Sequence, residues 1–126
     1  MTSRRRVLGG GLLLALASPA ARAAVLPLPE AQPFGLVGRI MAKPGTRDAL
    51  IAALVEGTGR MPGCLSYVVH EDAGDPNAVL VSEAWESAAA HRASLDLPAV
   101  RAAIAKARPV IAKMETIATT RPFVAT

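Results

Sequence analysis

The chain has 126 residues and a formal net charge of +4, but the charge is unevenly placed. Four of the 14 basic residues and none of the 10 acidic residues precede residue 24, so residues 24–126 carry ten charges of each sign. That balance, without a basic cluster, gives no argument for a nucleic-acid partner. One cysteine excludes an internal disulfide framework, and the length predicts a single small domain.

Residues 1–23 predict an export signal. Ser3–Leu8, SRRRVL, resembles a twin-arginine motif, and an apolar run over 7–17 follows it. The run is shorter than the roughly 20 apolar residues of a membrane span, which disfavours an uncleaved anchor. Ala21-Arg22-Ala23 fits a cleavage site, so we expect a periplasmic or secreted protein without a stable membrane anchor. Residues 24–33 hold three prolines and predict an extended leader.

Residues 34–123 predict one domain in which strands and helices alternate. Turn residues at Pro44-Gly45 and 72–77 bound the predicted strands. Thr46 and Ser87 suit helix N-caps, and Pro98 suits a first helical turn. The predicted elements are strands at 34–43, 64–71, 77–85 and 113–121, and helices from Thr46 to Gly57, at 87–95 and at 98–108.

The order β-α-β-β-α-β predicts one sheet with its helices on one face, which is the ferredoxin-like α+β fold. The second and third strands carry apolar residues on both faces, from Cys64 to Val69 and from Val79 to Ala84. A sheet with one wet face alternates more cleanly. We therefore expect a second copy to cover the face away from the helices, giving a homodimer, and we expect Cys64 to be buried.

The most informative stretch is Val81 to Ser94, where a strand leads into a helix. Trp85, the only tryptophan, ends the strand, and His91 lies one helical turn after the predicted cap Ser87. Such a junction can hold an indole and an imidazole in one cleft. The alternative is that Trp85 is a core aromatic and His91 a surface residue.

Five short motifs together resemble the antibiotic biosynthesis monooxygenase superfamily, most closely its small quinol monooxygenases. The motifs are Lys43-Pro44-Gly45, Pro62-Gly63-Cys64-x-x-Tyr67, Asp75-Pro76, Glu83-x-Trp85-x-Ser87 and His91-x-x-Ser94. The resemblance covers about residues 34–123. It implies a dimeric α+β barrel and oxygenation of quinols or related phenols without a metal, flavin or haem cofactor.

The sequence departs from some relatives at positions near the Trp. Asp96 stands where relatives often carry a second His, in a Ser-x-His arrangement. Val81 and His91 stand where anthrone-oxidising relatives carry Asn and Tyr. The first strand has no Asn, and Leu95 replaces the His of haem-degrading relatives, which disfavours haem chemistry. Val81 shares a strand face with Trp85 and is a candidate for substrate binding.

Cofactor-free oxygenation needs a base, an orienting pocket and exclusion of water. We expect His91 to take a phenolic proton and Trp85 to form an aromatic wall. Tyr67 is expected to hydrogen-bond a substrate oxygen or to be a core phenol. Glu83, on the face of Trp85, is expected to orient His91 or to pair with a basic residue such as Arg39.

Other classes of chemistry find little support. Two His and one Cys that lie far apart in the sequence give little support for a metal site. No nucleophile elbow appears, and no glycine-rich loop stands between a predicted strand and helix for a nucleotide. His70, beside Glu71, is expected to be solvated. Two hypotheses remain: an exported cofactor-independent monooxygenase with a small aromatic substrate, or a non-catalytic dimeric module that binds a small apolar ligand. His91 separates them, because an enzyme needs its base.

Overall fold

The computed structural model describes residues 32–125. The expected export signal lies outside the described residues, as does all of the expected leader except its last two positions. The elements are β1 Phe34–Ala42, α1 Arg47–Gly57, β2 Cys64–Glu71, β3 Ala78–Trp85, α2 Ala88–Ser94, α3 Pro98–Ala107 and β4 Ile111–Thr120, with a 3-10 turn at Arg108–Val110. Within the described part of the chain, no helix has the length and apolar character needed to cross a membrane.

The four strands form one antiparallel sheet in the order β2-β3-β1-β4. Both β1 and β2 run antiparallel to β3, so α1 connects two parallel strands that flank β3. The helices α2 and α3 connect β3 to β4 in the same way around β1. The predicted ferredoxin-like α+β fold is confirmed. The strand β4 begins at Ile111, earlier than predicted, because Ile111 pairs with Ala42.

Two of the three predicted helix-start signals are confirmed in the structure, and one is not. Ser87 caps α2 as predicted, because its hydroxyl accepts a hydrogen bond from the Ala90 N–H at 3.1 Å. Pro98 opens α3, also as predicted. The expected side-chain cap at Thr46 is wrong, because that hydroxyl donates to the Lys43 carbonyl oxygen at 2.6 Å and makes no capping bond to α1.

The core lies between the sheet and the helices. Its two clusters are Ile40, Ala42, Leu50, Ala53, Val79, Val81 and Ala107, and Met61, Trp85 and Val100. The helices α1 and α3 cross at Gly57, where an added Cβ would overlap the Cβ of Ala103. Glycine at that point lets the two backbones approach closely. The expected burial of Cys64 is wrong: it is only partly buried, since β2 is an edge strand.

The opposite face of the sheet carries apolar side chains that are only partly covered. Val37, Met41 and Leu80 are half-buried on this face, and Val68 is 42% exposed. Arg39 lies among them, and its guanidinium pairs with carboxylates of the β2–β3 loop. The apolar character of both sheet faces is therefore present in the fold as well as in the sequence.

Candidate functional site

A cavity of about 290 Å³ lies between the inner face of the sheet and the three helices. It is about twice the size of the roughly 150 Å³ apolar cavity known to hold benzene, so it has room for one or two aromatic rings. Its lining includes all five residues that the sequence analysis selected: Tyr67, Val81, Glu83, Trp85 and His91. Most of the remaining lining is apolar: Leu36, Ile40, Leu54, Met61, Leu95, Val100, Ala103, Ile104 and Met114.

Strand geometry explains why three of these side chains share the cavity. Side chains alternate along a strand, so Val81, Glu83 and Trp85 all leave β3 on its inner face. Tyr67 joins them from β2 because it lies directly opposite Glu83 in the β2–β3 register. The cavity floor is therefore set by the pairing of two neighbouring strands.

His91 reaches the same cavity because α2 packs tightly against the end of β3. Gly63 has a φ of +80°, and its carbonyl oxygen accepts the Glu86 N–H at 2.8 Å. A Cβ at Gly63 would come within 2.6 Å of the Ala90 Cβ, so a larger residue would push α2 away. The glycine thus allows the close approach that places His91 beside Trp85.

Three polar groups of the cavity lining meet at one carboxylate oxygen, which belongs to Glu83. The Trp85 indole N–H donates to Glu83 Oε1 at 3.0 Å, and Trp85 is fully buried. The same oxygen lies 3.8 Å from His91 Nε2, beyond a hydrogen bond but close enough to attract a protonated imidazole. The alternative pairing of Glu83 with Arg39 is wrong, since Arg39 binds Asp72 at 2.7 Å on the opposite face.

The imidazole of His91 is held between two aromatic rings. The Trp85 ring lies edge-on, with ring centroids 5.5 Å apart, and the Phe34 ring is tilted at 5.2 Å. Phe34 opens β1 opposite Trp85. Phe34 was not among the predicted site residues, because an aromatic residue at a strand start is indistinguishable from a core residue when the strand register is unknown.

Tyr67 presents a phenol that stays protonated. Burial, and then the negative charge of Glu83, raises the pKa of Tyr67 well above its ordinary value. No hydrogen bond joins its hydroxyl to another group of residues 32–125. The hydroxyl therefore remains available as a donor to a molecule in the cavity.

The cavity opens toward β4. The most exposed apolar residues of its lining are Met114 on β4, at 64% exposure, Leu95 just after α2, and Ile104 on α3. Asp96, which stands at the position of the second His of some relatives, is exposed and outside this lining. Among the described residues, no group of three or more His, Cys, Asp and Glu side chains is placed to hold a metal ion.

The fold and the site define a class of protein: a small ferredoxin-like α+β domain with a ligand-sized, largely apolar cavity and one histidine in its lining. Residues 33–106 match the antibiotic biosynthesis monooxygenase family, and the chain belongs to this family. Because the match includes β1 through most of α3, the elements that build the cavity lie almost entirely within it.

Solved structures agree with this assignment. A protein of Chloroflexus aurantiacus described as an antibiotic biosynthesis monooxygenase is 49% identical to this chain, with a TM-score of 0.68, covering 75% of this chain and 96% of that one. A protein of Nitrosomonas europaea with the same description has a TM-score of 0.69, covering 76% and 95% of the two chains. It is 14% identical, so it shows the fold alone.

A curated relative extends the comparison. The uncharacterized protein sll1783 of Synechocystis sp. is 30% identical over 84 residues, which cover 64% of this chain and 57% of that protein. The matching region therefore spans little more than half the length of that relative.

Proposed function

We propose that this protein is a cofactor-independent monooxygenase that oxidises quinols or related phenolic aromatics. Its membership of a monooxygenase-type family supports the reaction class. The observation that carries the proposal is the position of His91, whose imidazole lies between two aromatic rings in a cavity sized for one or two rings. A base beside an apolar wall is what deprotonation of a bound phenol requires.

The reaction balances without an external reductant. Taking a hydroquinone as the simplest case, the substrate and O2 give a hydroxyquinone and water. The phenolate passes one electron to O2, the two radicals combine to form a C–O bond, and loss of water cleaves the O–O bond. The substrate supplies all four electrons, so one oxygen atom enters the product and the other leaves as water.

Each residue of the site has a role in this scheme. His91 takes the phenolic proton, and Trp85 forms a wall for the aromatic ring. Glu83 lies 3.8 Å from His91 Nε2 and stabilises the imidazolium that results. Tyr67 donates a hydrogen bond to a substrate oxygen, and Val81 provides apolar floor beneath the ring.

The test is oxygen uptake by the purified protein with a panel of hydroquinones, comparing His91→Gln with the parent. We expect turnover to fall by roughly a hundredfold, the usual scale for a general base, while substrate affinity changes little. His70→Gln is the matched control, because His70 is the other histidine, lies exposed on β2 and is hydrogen-bonded to Ser82 at 3.2 Å outside the cavity. A His91→Gln variant as fast as the parent would contradict the assignment of the base.

The alternative, a non-catalytic module for a small apolar ligand, is favoured by the apolar character of most of the lining. It has a distinct outcome in the same experiment. The parent protein would bind hydroquinones without consuming oxygen, and His91→Gln would have no effect on either measurement.

We also propose that the protein is a homodimer joined through the sheet face away from the helices. The partly covered apolar side chains of that face, among them Leu80, support this arrangement. Leu80→Glu should shift the protein toward monomer or unfold it, because an unpaired charge is costly to bury. A stable monomer of the parent in sedimentation velocity at micromolar concentration would contradict the proposal.

Export through a twin-arginine route remains a proposal that rests on the sequence of residues 1–23. Substituting lysine for both Arg4 and Arg5 should retain the protein in the cytoplasm, because the receptor of the twin-arginine route distinguishes arginine from lysine at this pair. N-terminal sequencing of exported protein should begin at Ala24. Exported protein that begins at Met1 would contradict the predicted cleavage.

A further inference from the structure

We propose that the cavity selects electrically neutral phenols over phenols that carry a carboxylate, and that Glu83 sets this selection. The inference rests on the proposed binding of phenolic aromatics in this cavity and adds the charge class of the substrate. It concerns binding and can be tested without turnover.

The charges that face the cavity are unbalanced. The lining contains three residues with charged side chains, Arg39, Glu83 and Glu115, and one histidine, His91. Arg39 and Glu115 lie opposite each other on β1 and β4, and the Arg39 guanidinium is bound to Asp72 on the outer face. Side chains that pair directly across two strands share a face, so Glu115 also points outward. Among the described residues, Glu83 is therefore the carboxylate that projects into the cavity.

Within residues 32–125, the ion pair found for this carboxylate is with His91, and no lysine or arginine is seen to pair with it. Its Oε1 accepts the Trp85 indole N–H at 3.0 Å, and one hydrogen bond from a neutral donor leaves the negative charge in place. The nearest cationic candidate is His91 Nε2 at 3.8 Å, which is neutral whenever the imidazole is ready to act as a base. The charge reaches neighbouring groups: after burial, it contributes to the raised pKa values of Tyr67 and Cys64.

A carboxylated phenol would bring a second negative charge into the same small, partly buried space. At an effective dielectric constant of about 20 and a separation of roughly 6 Å, the repulsion corresponds to about a hundredfold loss of affinity. Water at the cavity mouth screens part of this repulsion, so we expect a selection of at least about tenfold. A neutral phenol of the same shape meets no such repulsion.

The probes are 4-hydroxybenzamide and 4-hydroxybenzoate, which differ in charge and hardly in shape. Trp85 is the only tryptophan, so its single indole N–H signal in a ¹H–¹⁵N spectrum reports on the site directly. Adding each probe stepwise to the protein at one fixed pH of about 7.5 should show the amide binding at least about tenfold more tightly than the carboxylate.

Two variants test whether the charge of Glu83 causes the preference for the neutral probe. Glu83→Gln keeps an oxygen acceptor for the indole but removes the charge, so the two probes should bind within about twofold of each other. Glu86→Gln is the matched control: Glu86 is exposed, follows β3 directly and is outside the cavity lining, so the selection should persist. Thermal unfolding of both variants checks that the fold is retained.

The proposal is overturned if the parent binds the two probes equally, if Glu83→Gln keeps the full selection, or if neither probe binds. These outcomes are distinct from failure of the monooxygenase proposal. A protein that selects the amide but consumes no oxygen with hydroquinones would support charge selection and contradict catalysis. A protein that consumes oxygen with hydroquinones but binds the two probes equally would support catalysis and contradict charge selection.

Discussion

The hydrogen bond between the Trp85 indole and the Glu83 carboxylate should contribute measurably to the stability of the fold. The donor is fully buried, and the bond length is 3.0 Å. Hydrogen bonds to charged groups contribute about 1.5–3 kcal/mol. Trp85→Phe removes this bond and leaves space where the larger ring was, so we expect the free energy of unfolding to fall by about 3 kcal/mol or more.

A double-mutant cycle separates the bond from the loss of ring volume. The cycle combines Trp85→Phe with Glu83→Leu, and the coupling energy between the two positions should be about 1.5–3 kcal/mol. Unfolding is followed by far-ultraviolet circular dichroism in urea, since Trp85→Phe removes the fluorescent reporter. All variants are measured at one protein concentration, because the stability of an oligomer depends on concentration.

A parallel cycle with Glu86→Leu provides the control. Glu86 is exposed and makes no contact with the indole ring that the structure records, so its coupling to Trp85 should be close to zero. A Trp85–Glu83 coupling below about 0.5 kcal/mol would refute the reasoning, because the carboxylate would then gain as much from water as from the indole.

Three further predictions concern other parts of the molecule. Tyr67 is the only tyrosine, and because burial raises its pKa, tyrosinate absorbance should appear at higher pH in the native protein than in urea. Its folded pKa lies above its unfolded value of about 10, so its contribution to stability is complete below that pH and is lost as the pH rises further. Gly57→Ala should destabilise the fold by about 1–3 kcal/mol in chemical unfolding, and Ala103→Gly in the same chain should restore most of the loss. Phe34→Leu should lower turnover and alter its pH profile by loosening the ring of His91, while substrate affinity changes little.

Each of these has a clear contradicting result. An identical absorbance titration in native and unfolded protein would show that the phenol of Tyr67 is solvated. A Gly57→Ala variant of full stability would show that the α1–α3 crossing relaxes without cost. A pH profile of Phe34→Leu identical to that of the parent would show that the phenyl ring does not position the imidazole.

The junction between β3 and α2 was predictable because its signals are local. Alternation along β3 puts Glu83 and Trp85 on one face, and the Ser87 hydroxyl caps α2 within the same turn of chain. His91 then follows at helical spacing. The same kind of local pattern predicted the order of strands and helices, with errors of one or two residues at several ends, where pairing with a neighbouring strand decides the boundary.

The chain by itself therefore determined the elements, the fold class and four of the polar or aromatic residues that the cavity contains. Only the tertiary structure decided which distant residues meet them. Phe34 reaches His91 across 57 positions because β1 pairs with β3. Arg39 does not meet Glu83 because the register places Arg39 opposite Leu80, whose side chain leaves β3 on the other face from Glu83. Such contacts depend on strand register, which is set by the packing of the whole sheet and has no signature in any short stretch of sequence.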